Sequence, residues 1–415
     1  MSAGPDTEVK QTLDRLFRRE AGRLVATLTR KLGAHNLTLA EDTAQEALLS
    51  ASRSWPFDGI PDNPSAWLHT VAYRKAIDLL RHQKVAENAM PALETATAHT
   101  PDSLAGITDA ELRLVFLCCH TAIPEQDRLA LTLHIAFGFS AREIARLFYT
   151  GPAAMSARLT RAKDQIKARC LSFDMPTAGE LTPRLSSVQK VVYLAFSLGY
   201  SPGHGSKAVR SDIAFEALRL AENLTQIPET SGGTASALAA LLSFQASRLA
   251  SRTDTADKFV PFQHQDRKRW DEGLIARGFN HLRRASAARE VSRYHLEAGI
   301  ASLHALAPSA EAADWQQILK YYQALSDMTA SPVVALNHAV AISMAGDNAG
   351  AITKLEALSE QKALVGNIYF HTARAEILHR LGRSDDARVA FNKARFSGGS
   401  DPDMRYLDLR LSSFD

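Results

Sequence analysis

Between Asn63 and Lys84 the chain reads NPSAWLHTVAYRKAIDLLRHQK, and Trp67, Tyr73, Arg74, Lys75, Asp78 and Arg81 mix aromatic and charged side chains within it. None of these is a nucleophile with a base at a useful spacing. The mixture suits a nucleic-acid strand being opened: cations follow the phosphates while ring faces stack on unpaired bases, each stack worth about 1–3 kcal/mol. Trp67 has a competing use in a core, because its neighbours Leu68 and Val71 are expected to be buried. Tyr73, Arg74 and Arg81 are the stronger candidates.

A second cationic set lies in FSAREIARLFYTGPAAMSARLTRAKDQIKA, residues 139–168. Ser140 followed by Glu143 forms a capping box over a first short helix, and Thr150 is the expected cap of a second, with Pro152 in its first turn. Met155, Leu159, Ala162 and Ile166 make an apolar stripe on that second helix; Arg158, Arg161, Lys163, Lys167 and Arg169 face one acid, Asp164. Two short helices at an angle, the second cationic on its open face, are the helix-turn-helix arrangement that lays a helix in a major groove. A solvated helical hairpin would show the same pattern.

A third set is acidic. In AEDTAQEALLSASRSW, residues 40–55, Asp42, Gln45, Glu46 and Leu49 fall at i, i+3, i+4 and i+7. One helix face thus carries acids around an apolar contact, which fits docking on a basic partner helix.

Other reactive residue types do not converge. Cys118, Cys119 and His120 are consecutive, and on a helix such side chains diverge by about 100° per residue, so no metal site is expected. GYSPGHGSKAVRS lacks the glycine-to-lysine order of a phosphate loop and follows a helix, not a strand. His338, His371 and His379 have no spaced carboxylate or serine. No enzyme and no cofactor are expected.

The elements that must position these sets are helical throughout. Apolar residues recur at helical spacing, as in Leu13, Leu16, Phe17, Leu24 and Leu28, and again in Ala66, Leu68, Val71, Ala76, Leu79 and Leu80, and strand-like alternation is missing. The chain of 415 residues is 46% hydrophobic and 22% charged, and should fold as an all-α protein of more than one domain. With 48 Lys and Arg against 45 Asp and Glu, a net charge of +3 puts any basic footprint in local patches. Three cysteines, two of them adjacent, give no disulfide framework and fit a cytoplasmic protein. The charged N-terminus has no signal-peptide core, and no uncharged run approaches the roughly 18 residues of a membrane helix.

Boundaries follow composition. Residues 1–84 form a first helical unit, 85–108 a polar linker, 109–172 a second unit, and 180–415 a long helical extension. Within the extension, MAGDNAGAITKLEAL and RLGRSDDARVAFNKA align Gly346 with Gly382, Ala351 with Ala387 and Leu355 with Phe391 at an offset of 36 residues. That is near the roughly 34-residue period of tetratricopeptide repeats, in which helix pairs stack and leave a concave face open.

The first unit, with AEDTAQEALLSASRSW and NPSAWLHTVAYRKAIDLLRHQK, resembles region 2 of bacterial sigma factors of the extracytoplasmic-function type. IPEQDRLALTLHIAFGFSAREIARLFYTGPAAMSARLTRAKDQIK resembles their region 4. VFLCCHTAIPEQ, VYLAFSLGY, QDRKRWDEGLI and SPVVALNHAVAI extend the resemblance along the chain, toward the subgroup with a tetratricopeptide-like C-terminal extension. Where that subgroup often has Asp-Gly-Pro, this chain has Gly346-Asp347-Asn348.

The resemblance implies a fold of two small sigma domains plus a repeat domain, and a protein that directs core RNA polymerase to promoters. It implies polymerase contacts, at the beta-prime clamp and beta flap, with Asp42, Gln45, Glu46 and Leu49 on the docking helix. It implies minus-10 contacts from Trp67, Tyr73, Arg74, Lys75 and Arg81, and minus-35 contacts from Ser156, Arg158, Arg161, Lys163 and Lys167. A protein partner is expected on the repeat domain, and no membrane. The rival reading, a helix-turn-helix regulator with a helical ligand- or protein-binding domain, leaves the two first-unit motifs unexplained.

Overall fold

Alanines at 40, 44, 47 and 51 return at i, i+4, i+7 and i+11, giving the second helix a flat inner face that is buried along its length. In the computed structural model, which describes residues 20–87, 104–148, 150–174, 176–200, 209–227, 230–254, 260–361 and 363–414, every element is helical. Leu13, Leu16 and Phe17 lie outside the described residues. The chain divides into two compact units, residues 1–195 and 196–415.

The first unit begins with α1 (residues 20–32), which Gly33 ends at a φ of 87°, and a 3-10 turn leads into α2 (Leu37–Asp58). Against α2 packs α3 (Pro64–Glu87). Leu68, Ala72 and Ala76 form its buried face; Val71 and Leu80 are half-buried and Leu79 is exposed, so the helix is less deeply set than its apolar content predicts. After α4 (Leu104–Cys118) and α5 (Glu125–Ile135) come the two short-spaced helices α6 (Ala141–Leu147) and α7 (Pro152–Ala168). The stretch read as a linker, 85–108, is therefore helical at both ends, and its middle, residues 88–103, lies outside the described residues.

Local chemistry explains the α6–α7 turn. Ser140 Oγ accepts from the Glu143 amide while the Glu143 carboxylate accepts from the Ser140 amide at 2.8 Å, which satisfies two otherwise orphaned donors. The cap of α7 is Gly151, one residue after the expected Thr150, and Pro152 opens the helix where its missing N–H costs nothing. The Thr150 amide instead closes on the Ala145 carbonyl at 2.9 Å. Met155, Leu159, Ala162 and Ile166 are buried, as their spacing requires.

Residues 178–195 of α8 (Ala178–Tyr200) close the first unit, and Arg128 of α5 donates to Ser187 at 2.9 Å. The second unit contains α9 (Ser211–Leu224), α10 (Gly233–Ser247), α11 (Glu272–Ala285), α12 (Arg293–Leu306), α13 (Trp315–Met328), α14 (Pro332–Met344), α15 (Asn348–Ala357), α16 (Ile368–Arg380), α17 (Ser384–Ser397) and α18 (Asp401–Ser412). Helix α10 is apolar nearly all round because α9, α11 and α12 all pack on it. From α12 onward each helix packs on the next. The pairs α14–α15 and α16–α17 carry the 36-residue correspondence: Gly346 and Gly382 both take positive φ, 103° and 75°, in the intervening turn. Ala351, Ala387, Leu355 and Phe391 are all fully buried in one core.

Candidate nucleic-acid interface

Asp42, Gln45, Glu46 and Leu49 are all exposed on α2, and Leu49 is 54% exposed with no apolar neighbour element to cover it among the described residues. Glu46 pairs with Lys75 of α3 at 2.9 Å in solvent. The acidic face expected from the spacing is thus a continuous exposed strip along one helix.

On α3, Trp67 is half-buried and meets the buried Trp55 edge-on, with ring centroids 5.3 Å apart. Packing claims part of that ring, as its flanking residues imply. Tyr73 is half-buried with the Lys31 ammonium 4.9 Å from its ring centre, and Arg74 and Arg81 are exposed. Lys75 is the residue of this set held by an acid on another helix, Glu46.

On α7, Ser156, Arg161 and Lys167 are exposed. Arg158 is half-buried and pairs with Asp127 of α5 at 3.1 Å. Lys163 does not face solvent in this arrangement: its ammonium donates to Glu41 of α2 at 2.8 Å, with only 14% of the side chain exposed. The minus-35 set expected from sequence is therefore split, with three members open and two engaged inside the protein.

Glu41 is the centre of a buried network that sequence reasoning missed. Its other oxygen meets His134 Nε2 of α5 at 2.8 Å, while His134 Nδ1 lies 2.7 Å from the Phe139 carbonyl. Both ring nitrogens face acceptors, which only the doubly protonated imidazolium satisfies. Burial pushes the His134 pKa down, but the Glu41 hydrogen bond and charge outweigh it and the net shift is upward. Burial likewise pushes Glu41 up, and the bonds and charges of His134 and Lys163 reverse the sign and hold it low. A signal did exist: Glu41 sits between Leu37 and Ala44 on the buried stripe of α2, where an acid needs a cationic partner.

Two further contacts join α1 to α4 and to the end of α5. Arg23 of α1 pairs with Glu111 of α4 at 3.0 Å, and a Cβ at Gly22 would stand 2.3 Å from the Ala136 carbonyl, so α1 reaches the end of α5 only through a glycine. The adjacent cysteines are packing residues. Cys118 and Cys119 are buried, and burial pushes the Cys119 thiol up to about 12, which suppresses the thiolate a metal would need.

Residues 16–85 match Sigma-70 region 2, residues 113–166 match Sigma-70, region 4, and residues 184–286 match a family of unknown function (DUF6596). A relative in Rhizobium meliloti (strain 1021), named as an uncharacterized protein, is 36% identical over 405 residues, 94% of each chain. The RNA polymerase sigma factor CarQ of Myxococcus xanthus is 31% identical over 154 residues, 37% of this chain and 85% of that protein.

Proposed function

Because the chain belongs to the sigma-70 family, we propose that it directs core RNA polymerase to specific promoters as a factor of the extracytoplasmic-function type, with a tetratricopeptide-like extension that regulates it. Region 2 docks on the polymerase through Asp42, Gln45, Glu46 and Leu49. Its neighbouring helix opens and reads the minus-10 element with Trp67, Tyr73, Arg74, Lys75 and Arg81. Region 4 reads the minus-35 element with Ser156, Arg158, Arg161, Lys163 and Lys167.

The observation that carries this reading is the two-sided use of α2. Its outer face leaves Asp42, Gln45, Glu46 and Leu49 open for a partner, while Glu41 on the inner face holds region 4 through Lys163 and His134. Lys163 serves DNA only after that contact opens, so the arrangement described is a closed state and promoter reading requires α7 to leave Glu41. The regulatory role of the extension rests on the paired hairpins α14–α15 and α16–α17, whose matching glycine turns and buried alanines fit a stacked repeat.

The test is co-purification of the full chain with core RNA polymerase, followed by run-off transcription from promoters mapped after overexpression. Retention by core polymerase with promoter-specific transcripts is the expected result. Specific DNA binding without polymerase retention would replace this reading with that of a helix-turn-helix regulator.

A further inference from the structure

Three arginines and four rings gather in the second unit at the end of α8, just after α10, in the turns before α11 and on α12. The Arg248 guanidinium carbon lies 4.2 Å from the centre of the Phe262 ring, 5.4 Å from Trp270 and 5.9 Å from Tyr200. Arg267 lies 4.5 Å from Trp270 and 5.5 Å from Phe262, and Arg252 covers Tyr200 at 3.8 Å. The His304 ring meets Phe262 edge-on at 4.8 Å. Such stacking stabilises cations in place but supplies no negative charge.

Neither Arg248 nor Arg267 has a carboxylate within ion-pair distance among the described residues. Arg248 makes only long bonds to neutral amides, at 3.3 Å to Gln265 and 3.4 Å to Gln245, and Arg267 donates to the Ala307 and His304 carbonyls. Exposed Glu311 acts on Arg267 only at a distance. Arg248 and Arg267 are both half-buried, and a partly desolvated cation without a counter-charge is costly. Donors are left over as well: Arg267 Nη2 and the Nε1 of Trp270, a residue only 5% exposed, meet no hydrogen-bond partner. Burial, with the nearby Arg248 and Arg267, pushes His304 down to about 3, so it adds no charge of its own at neutral pH.

We propose that this cluster binds a phosphate group, free or as the monoester of a small molecule, between Arg248 and Arg267 with the Trp270 indole N–H as a further donor. Two guanidiniums match the roughly −2 charge of a phosphate, and donors from two directions suit a tetrahedral oxyanion better than a flat carboxylate. The ring faces are already covered by guanidiniums, so recognition is of the anion and not of an attached base. The depth of Trp270 excludes a duplex backbone as the ligand. The site falls within the match to the family of unknown function, residues 184–286, apart from His304, and does not depend on the promoter-reading role. Two segments singled out in the sequence, VYLAFSLGY and QDRKRWDEGLI, contribute Tyr200 and then Gln265, Arg267 and Trp270.

The test uses the full chain, dialysed free of phosphate and titrated in calorimetry and thermal melting with sodium phosphate, with glycerol 3-phosphate, and with sodium chloride at matched ionic strength. Saturable binding is expected, with a melting rise on the order of 5–10 °C at about a 100-fold excess over Kd. Tighter binding of glycerol 3-phosphate assigns an ester, and tighter binding of phosphate assigns the free ion. Arg267→Gln and Arg248→Gln should each weaken binding on the order of tenfold. Trp270→Phe, which keeps the ring and removes only the N–H, should weaken it about fivefold and serves if an arginine variant fails to fold. In phosphate-free buffer Arg248→Met should melt no lower than the parent. No response to either probe beyond chloride overturns the proposal, and so does a response that Trp270→Phe and Arg267→Gln leave unchanged.

Discussion

Glu41 and Lys163 stand 122 residues apart in sequence and form a largely buried ion pair at 2.8 Å, joining region 2 to α7, the second helix of the helix-turn-helix in region 4. Only 9% of the Glu41 side chain and 14% of the Lys163 side chain meet solvent, so removing one partner leaves a largely stranded charge instead of a solvated one.

Glu41→Gln should therefore destabilise the closed arrangement by about 3–5 kcal/mol while freeing Lys163. Fluorescence transfer between labels on α2 and α7 should report a longer distance, and promoter DNA affinity should rise. An unchanged distance in the variant would show that Arg23–Glu111 and the Gly22–Ala136 approach hold the faces together without this pair.

The same network predicts a pH window for closure. His134 is raised above its ordinary 6.5, so its contribution is complete below that value and is lost as pH climbs through the raised value. Glu41 is lowered from 4.5, so its contribution is complete above 4.5 and is lost as pH falls through the lowered value. Closure should be strongest between 4.5 and 6.5 and should loosen on the alkaline side. His134→Gln should remove the alkaline limb of a distance-against-pH profile and leave the acid limb in place.

Arg161 is exposed on α7 and engages no acid among the described residues, so Arg161→Ala should weaken binding to all promoter sequences and reduce the slope of log affinity against log salt by about one. Arg158→Ala should also raise the denaturation sensitivity of region 4, because it strands Asp127. A salt titration beside urea unfolding separates the two effects.

Asp42→Arg with Leu49→Arg should abolish retention of core RNA polymerase while shifting stability within about 0.5 kcal/mol, since both side chains are exposed. A pull-down paired with a melting curve measures both quantities, and a variant that still holds core polymerase at wild-type melting temperature would move the docking face off α2.

Ala351→Trp and Ala387→Trp should each cost about 1–3 kcal/mol or more, because both alanines are fully buried where paired helices cross. A chain ending after Tyr200 should retain core polymerase and change promoter output. The boundary expected from composition, near residue 180, is a poor place for that cut. It would remove Ser187 and Lys190, which hold Arg128 and Glu125 of α5. Run-off transcription by the two truncations, compared with the full chain, checks the point.

What the amino-acid order determined by itself is the part of this protein whose causes are local. The Ser140–Glu143 box, Pro152 and the stripe of Met155, Leu159, Ala162 and Ile166 act within a few residues, so the helix-turn-helix was legible. The exposed strip from Asp42 to Leu49 and the 36-residue echo of Gly346 in Gly382 were legible for the same reason: helical period and turn chemistry need no distant partner. Even locally the reading slipped by one residue, because Gly151 caps α7 as an extended residue and Thr150 is used by the preceding turn. The partners of charged groups were decided only by tertiary structure. Lys163 and Arg161 are alike in type and two positions apart, yet one is buried against Glu41 and the other open, because α7 turns one side toward α2. Nothing in the spacing of Arg248 and Arg267 singles them out, and only the folded chain sets them on Phe262 and Trp270 with no acid in ion-pair reach among the described residues. Whether a charge meets solvent, an acid or a ring depends on which faces dock, and docking is a sum over contacts far apart in sequence.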